Sequence, residues 1–144
     1  MNDPLNDEVA GYRAVPHTAD LRIEAWAPTR DRCIARAVLG TVSSFLDLSA
    51  ARSEHTCRRR LSACGDEDVL VAVLDEMIYL LETTGEVPVD VALEAVDGGV
   101  DVVFAMTDAR ALQQTGAVPK AVSLHQLRLA PGPQGWQCAV TIDV

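Results

Sequence analysis

Hydrophobic residues recur at helical spacing in only two stretches of this chain, and most of the remaining rhythm alternates as a strand does. Ile34, Val38, Thr41, Val42 and Phe45 fall on one stripe at intervals of three and four, and Leu70, Val73, Leu74, Met77, Ile78 and Leu81 form a second, longer one. Thr29 stands where an N-cap belongs and Asp31 lies in the first turn, which predicts a first helix running to about Asp47. Gly65-Asp66-Glu67-Asp68 opens the second helix and Gly85 stops it. Before the first helix, Leu21, Ile23 and Ala25 alternate with Arg22, Glu24 and Trp26, and between the helices His55 to Ala63 predicts another strand. After Gly85, Val87–Val96 and Val100–Met106 flank a tight turn at Asp97-Gly98-Gly99, and Lys120–Leu129 and Trp136–Val144 flank a turn rich in proline and glycine. Residues 107 to 118 break the rhythm and read as a loop. The predicted order is β, β, α, β, α and four more strands. Two helices cannot cover both faces of so large a sheet. The expected fold is therefore α+β: a two-layer sandwich whose largely antiparallel or mixed sheet buries one face under both helices.

Size and charge narrow the function classes. The 144 residues, 49% of them hydrophobic, fit one domain over residues 12–144 behind a flexible tail of residues 1–11. A net charge of -9 disfavours direct nucleic-acid binding, which needs clustered cations facing the phosphates. The one basic run, Arg58-Arg59-Arg60, reads as solvated or salt-bridged charge along a strand. The N-terminus has no apolar core of a signal peptide, and no uncharged run, Ala37 to Leu46 among them, reaches the ~20 apolar residues that a membrane span needs. A soluble, cytoplasmic protein with no membrane partner is expected. Cys33, Cys57, Cys64 and Cys138 have no zinc-like spacing and read as small buried hydrophobes.

No phosphate-cradling glycine loop, nucleophile elbow or HExxH helix is present. Four short pieces remain: Pro16-His17-Thr18-Ala19-Asp20 at the mouth of a strand, the helix segment Asp68 to Leu80, Lys120-Ala121-Val122-Ser123-Leu124-His125, and the terminal Ile142-Asp143-Val144. In this order and spacing, from Tyr12 to Val144, they resemble the archease family. The resemblance implies a non-catalytic protein that activates an RtcB-type RNA ligase in tRNA splicing and RNA repair, promoting guanylylation of the ligase and its turnover. It also implies a divalent-metal site at Asp20, Asp143 and Val144. An older view of the family makes it a chaperone-like modulator of tRNA-modifying enzymes.

The residues themselves are compatible with such a site. Asp143 precedes the final residue, so the chain end offers two negative groups, and Asp20 adds a third hard oxygen donor suited to Mg, Mn or Ca. His17 would support the ion from behind or ligate it directly. Lys120, the only lysine, is expected at a loop end near the acidic cluster as a phosphate or carboxylate contact. Ser123 is a further contact candidate, and His125 reads as structural. Asp20 alone would equally serve a turn. A small metal-dependent hydrolase with His17 as general base is an alternative, although no second strong nucleophile or base accompanies it. Ala72, Val73 and the 107–118 loop depart from the family pattern, which carries an acid and a tryptophan in the helix and a histidine in the loop.

Overall fold

The computed structural model describes residues 10–17 and 20–144, together with the backbone but not the side chains of Pro16 and His17. The expected tail therefore lies almost wholly outside the described residues. Seven strands and two helices follow in the predicted order: β1 (Gly11–His17), β2 (Asp20–Ala27), α1 (Arg30–Ser43), β3 (His55–Ser62), α2 (Asp66–Thr84), β4 (Glu86–Val96), β5 (Gly99–Asp108), β6 (Ala121–Gly132) and β7 (Gly135–Asp143).

Local signals set the helix ends. Thr29 accepts a hydrogen bond from the Arg32 N–H at the start of α1, and Gly85 closes α2 in a left-handed conformation, φ 74°. Helix α1 stops at Ser43, four residues short of the expected Asp47. Ser44 there turns its hydroxyl onto the Thr41 carbonyl (2.6 Å), and such back-bonding competes with helix continuation. Phe45 still reaches the core, 2% exposed. Arg30 ties the two helix starts together, with Nη1 3.0 Å from Asp66 Oδ1.

All strand pairing is antiparallel, in two sheets: β1-β2-β7-β6 and β3-β5-β4. The expected α+β architecture holds, with its sheet divided. Both outer edges of the three-stranded sheet are unsuited to further pairing. On β3 the charged Arg58-Arg59-Arg60 run lies exposed, Arg60 gripping Asp101 through Nε and Nη2 at 2.8 and 2.9 Å and Arg59 reaching Glu76 on α2 at 3.2 Å. On β4, Pro88 lacks an N–H, and the ladder slips between Pro88 and Asp90. Helix α1 packs on β1, β2, β7 and β4, and α2 on β6, β3 and β4, so the helices join both sheets around one core. The two predicted apolar stripes are buried in it, with Leu81 at its margin.

Strand β6 contains the main irregularity. Ser123 faces Thr141 and Arg128 faces Ala139, so four residues, Leu124 to Leu127, stand against the single Val140, an excess of three. Gln126 adopts φ 56° within this bulge. Beyond it, the Leu129 N–H is taken by Glu67 Oε2 from the first turn of α2 (3.3 Å). The loop expected at residues 107–118 is partly ordered by its own contacts. Strand β5 continues to Asp108, whose carboxylate caps a short 3-10 turn at Ala109–Ala111, and Gln114 bridges to Leu46. Among the described residues, no helix is long and apolar enough to cross a membrane.

Candidate functional site

Strand alternation sorts β2 and β7 into an inner and an outer set. Ile23, Ala25 and Ala27 are buried in the core, so Asp20, Arg22, Glu24 and Trp26 occupy the opposite, outward face. On β7, Cys138, Val140 and Ile142 are buried, and Gln137, Ala139, Thr141 and Asp143 face outward with the β2 set. The ladder places Asp20 directly opposite Asp143. The two carboxylates therefore share one row and one face. Like charges set opposite each other on adjacent strands repel, and a cation relieves that repulsion.

Asp143 also lies beside β6, facing Ala121, and its carbonyl oxygen accepts the Lys120 N–H at 2.7 Å. Lys120 thus stands at the loop end with its backbone beside Asp143 and its side chain exposed. Val144 follows Asp143 and is half-buried against the core. Ser123 faces Thr141, on the same face and about 7 Å along the strand from Asp143, with its hydroxyl accepting the His125 N–H (3.2 Å). His125 is exposed on the β6 bulge, where the strand has left the ladder after Ser123. The His17 backbone pairs with Asp20 at the end of β1, and its side chain lies outside the described residues.

Hard carboxylate oxygens on adjacent strands fit a divalent cation of the Mg, Mn or Ca type. Among the described residues no three His, Cys, Asp or Glu side chains come together as a metal cluster. An ion at Asp20 and Asp143 would complete its shell from an oxygen of Val144 and from water.

The same outer face carries a second feature that sequence reasoning missed. A cleft of about 220 Å³ is lined by Arg13, Arg22, Glu24, Trp26, Arg128 and Gln137, with Ala139 at its base. Arg22 and Trp26 were placeable on one face of β2 from their spacing alone. Arg13 and Arg128 were not, because their positions depend on pairing with β2 and on the β6 bulge. Behind the cleft, the buried Cys33 thiol donates to the Ala25 carbonyl (3.6 Å) and meets Cys138. The hydrogen bond with Cys33, and then burial, push the Cys138 thiol well above its ordinary pKa.

The sequence departures are also accounted for locally. Val73 is fully buried in the core, Ala72 half-buried beside it, and the Thr107 hydroxyl, 4% exposed, donates to Glu54 Oε1 (3.2 Å).

Comparison with known proteins agrees with the architecture. A family model described as the archease protein family (MTH1598/TM1083) matches residues 12–144. A relative from Mycobacterium tuberculosis (strain ATCC 25618 / H37Rv), named "Probable protein archease", is 68% identical over 135 residues, covering 94% of this chain and 75% of that protein. The solution structure of Methanobacterium thermoautotrophicum protein 1598 superposes with a TM-score of 0.74 at 17% identity, covering 93% of this chain and 99% of that one. The crystal structure of an archease from Thermotoga maritima, described as a possible chaperone, gives a TM-score of 0.63 at 16% identity, covering 100% and 98%.

Proposed function

This chain belongs to the archease family, and from that premise we propose that it is a non-catalytic activator of an RtcB-type RNA ligase in the cytoplasm, serving tRNA splicing and RNA repair. The observation that supports this reading most directly is the placement of Asp20 opposite Asp143. The family resemblance assigns a divalent ion to these residues and Val144, and two facing carboxylates are a reasonable seat for one. Bound there, the ion would supply positive charge close to the ligase's nucleotide phosphates.

The chain's own residues do the positioning. The β2–β7 ladder fixes the two carboxylates relative to each other, and the Lys120 N–H holds the Asp143 carbonyl oxygen. Lys120, exposed at the same edge, is a contact for a phosphate or carboxylate of the partner. RNA need not touch this protein.

Single-turnover guanylylation of an RtcB-type ligase, with and without this protein, tests the reading. Stimulation by the wild type, lost in Asp20→Ala and Asp143→Ala variants that still fold, is the expected result. Stimulation that survives both substitutions would refute the metal-site mechanism, and no stimulation at all would refute the activator role. A chaperone-like action on tRNA-modifying enzymes is the second reading, implied by the family resemblance; the Thermotoga maritima archease is described as a possible chaperone. Leu124, 69% exposed on the bulge, is the apolar contact it would use. Suppressed aggregation of such an enzyme, without ligase stimulation, would favour it. Metal-dependent phosphatase activity of the isolated protein would instead point to the hydrolase.

A further inference from the structure

We propose that the arginine-lined cleft on the outer face of the four-stranded sheet is a binding site for a phosphate group, either free or as the monoester of a nucleoside. The inference is independent of the ligase reading.

Charge is the first argument. In a chain of net charge -9, this cleft brings three guanidinium groups, Arg13, Arg22 and Arg128, to a single carboxylate, Glu24. Glu24 is already engaged with Arg13 and lies 4.0 Å from Arg22 Nε. Arg128 has no acidic partner within salt-bridge distance among the described residues. Three guanidinium groups against one carboxylate leave the cleft with an excess of two positive charges among the described residues.

The second argument is an unmet hydrogen bond. Arg22 Nη1 is buried and has no hydrogen-bond partner among the described residues. A buried guanidinium N–H without an acceptor costs free energy, so a movement of the half-buried Arg22 side chain that brings Nη1 to an acceptor in the cleft is favoured. Phosphate oxygens match the arginine fork and carry the compensating charge.

Shape supplies the third. Arg13, Glu24, Ala139 and Arg128 form one row across all four strands, in which alanine leaves a hollow between long side chains. The three-residue excess in β6 is what turns Arg128 outward, since regular alternation from Ser123 would send it toward the core. At about 220 Å³ the hollow is below the roughly 300–1,000 Å³ of sites that enclose drug-sized ligands, so it suits a small anionic group. Trp26 gives the attached group a place to lie. Its indole crosses β1 over Gly11, where a Cβ would stand only 2.6 Å from Cζ2, and a nucleobase stacks on such a ring.

The test is a titration of the ¹⁵N-labelled full chain at constant ionic strength with sodium phosphate, adenosine 5′-monophosphate, adenosine and a hexaglutamate peptide, read at the Trp26 indole and arginine Nε–H signals. Phosphate and the monophosphate should shift the Arg22 and Arg128 signals, and adenosine should not. Tighter binding of the monophosphate, with a shifted Trp26 indole, identifies an ester as the ligand; equal binding identifies free phosphate. Arg128→Ala, at an exposed position, should weaken phosphate binding about 10-fold or more. Should that variant unfold, Arg13→Ala on the edge strand replaces it. The proposal fails if phosphate leaves the arginine signals unmoved, if hexaglutamate shifts them and phosphate does not, or if a folded arginine variant binds phosphate as the wild type does.

Discussion

Asp20 and Asp143 face each other across the β2–β7 ladder, one near the start of the described chain and the other near its end. Their shared row makes the carboxylates compete for the same solvent and any cation in it. Replacing Asp20 with Asn should therefore stabilise the metal-free protein by about 0.2–1 kcal/mol, the usual scale of a cross-strand charge pair. Added Mg, Mn or Ca should raise the urea midpoint of the wild type and leave that of Asp20→Asn nearly unchanged. Urea titrations in chelator and in divalent salt check both signs, and a variant less stable in chelator than the wild type would contradict the repulsive pairing.

A pH effect is expected at the other sheet. His55 Nε2 lies 2.6 Å from Glu86 Oε2, and this hydrogen bond raises the His55 pKa above its ordinary 6.5. A raised folded-state value means that the contribution to stability is fully present below pH 6.5 and is lost as pH rises through the folded pKa. NMR titration should show the His55 midpoint falling in Glu86→Gln. The stability gap between wild type and variant should be wider at pH 6 than at pH 8.5; a constant gap would exclude the linkage.

Gly85 holds φ 74° at the end of α2, a conformation that costs a side chain with a Cβ. Gly85→Ala should lose about 1–2 kcal/mol in urea unfolding, and Gly85→Asn less, since asparagine tolerates the left-handed region better. Space is not the cause, because nothing lies within 4 Å of the added Cβ.

Thiol chemistry should divide the cysteines by position. The expectation of four buried cysteines holds only for Cys33 and Cys138, which are buried against one another; Cys57 is half-buried and Cys64 exposed. In the native protein, a thiol-specific disulfide reagent should modify Cys64 promptly and spare Cys33 and Cys138 until denaturant is added. Mass spectrometry of the labelled peptides decides it, and prompt native labelling of Cys138 would contradict this burial.

The legible part of this fold was its local part. Thr29, Gly65 and Gly85 mark helix ends through contacts within a few residues, and the apolar stripes of α1 and α2 identify buried faces without reference to the rest of the chain. Sheet division and register depend on partners far away in sequence: β5 takes β3 as well as its hairpin partner β4, and no spacing within β3 announces it. The acidic pair lay between these cases. The strand expected over Trp136–Val144 ordered the chain's last residues, but its meeting with Asp20 came from the family resemblance. The arginine cleft was out of reach because Arg128 is turned outward by a bulge that the sequence does not signal.

That bulge makes β6 sensitive to parity. Because its excess is odd, the strand on either side of it is out of phase, and a one-residue insertion or deletion taken up by sliding β6 past β7, rather than by the looped-out residues, would exchange wet and dry positions along the rest of the strand, carrying Leu129 to solvent and Arg128 inward. Length changes of two residues would preserve the phase. A length change confined to the looped-out residues would leave Arg128 opposite Ala139, so the segment can change in length only as far as that pairing is kept.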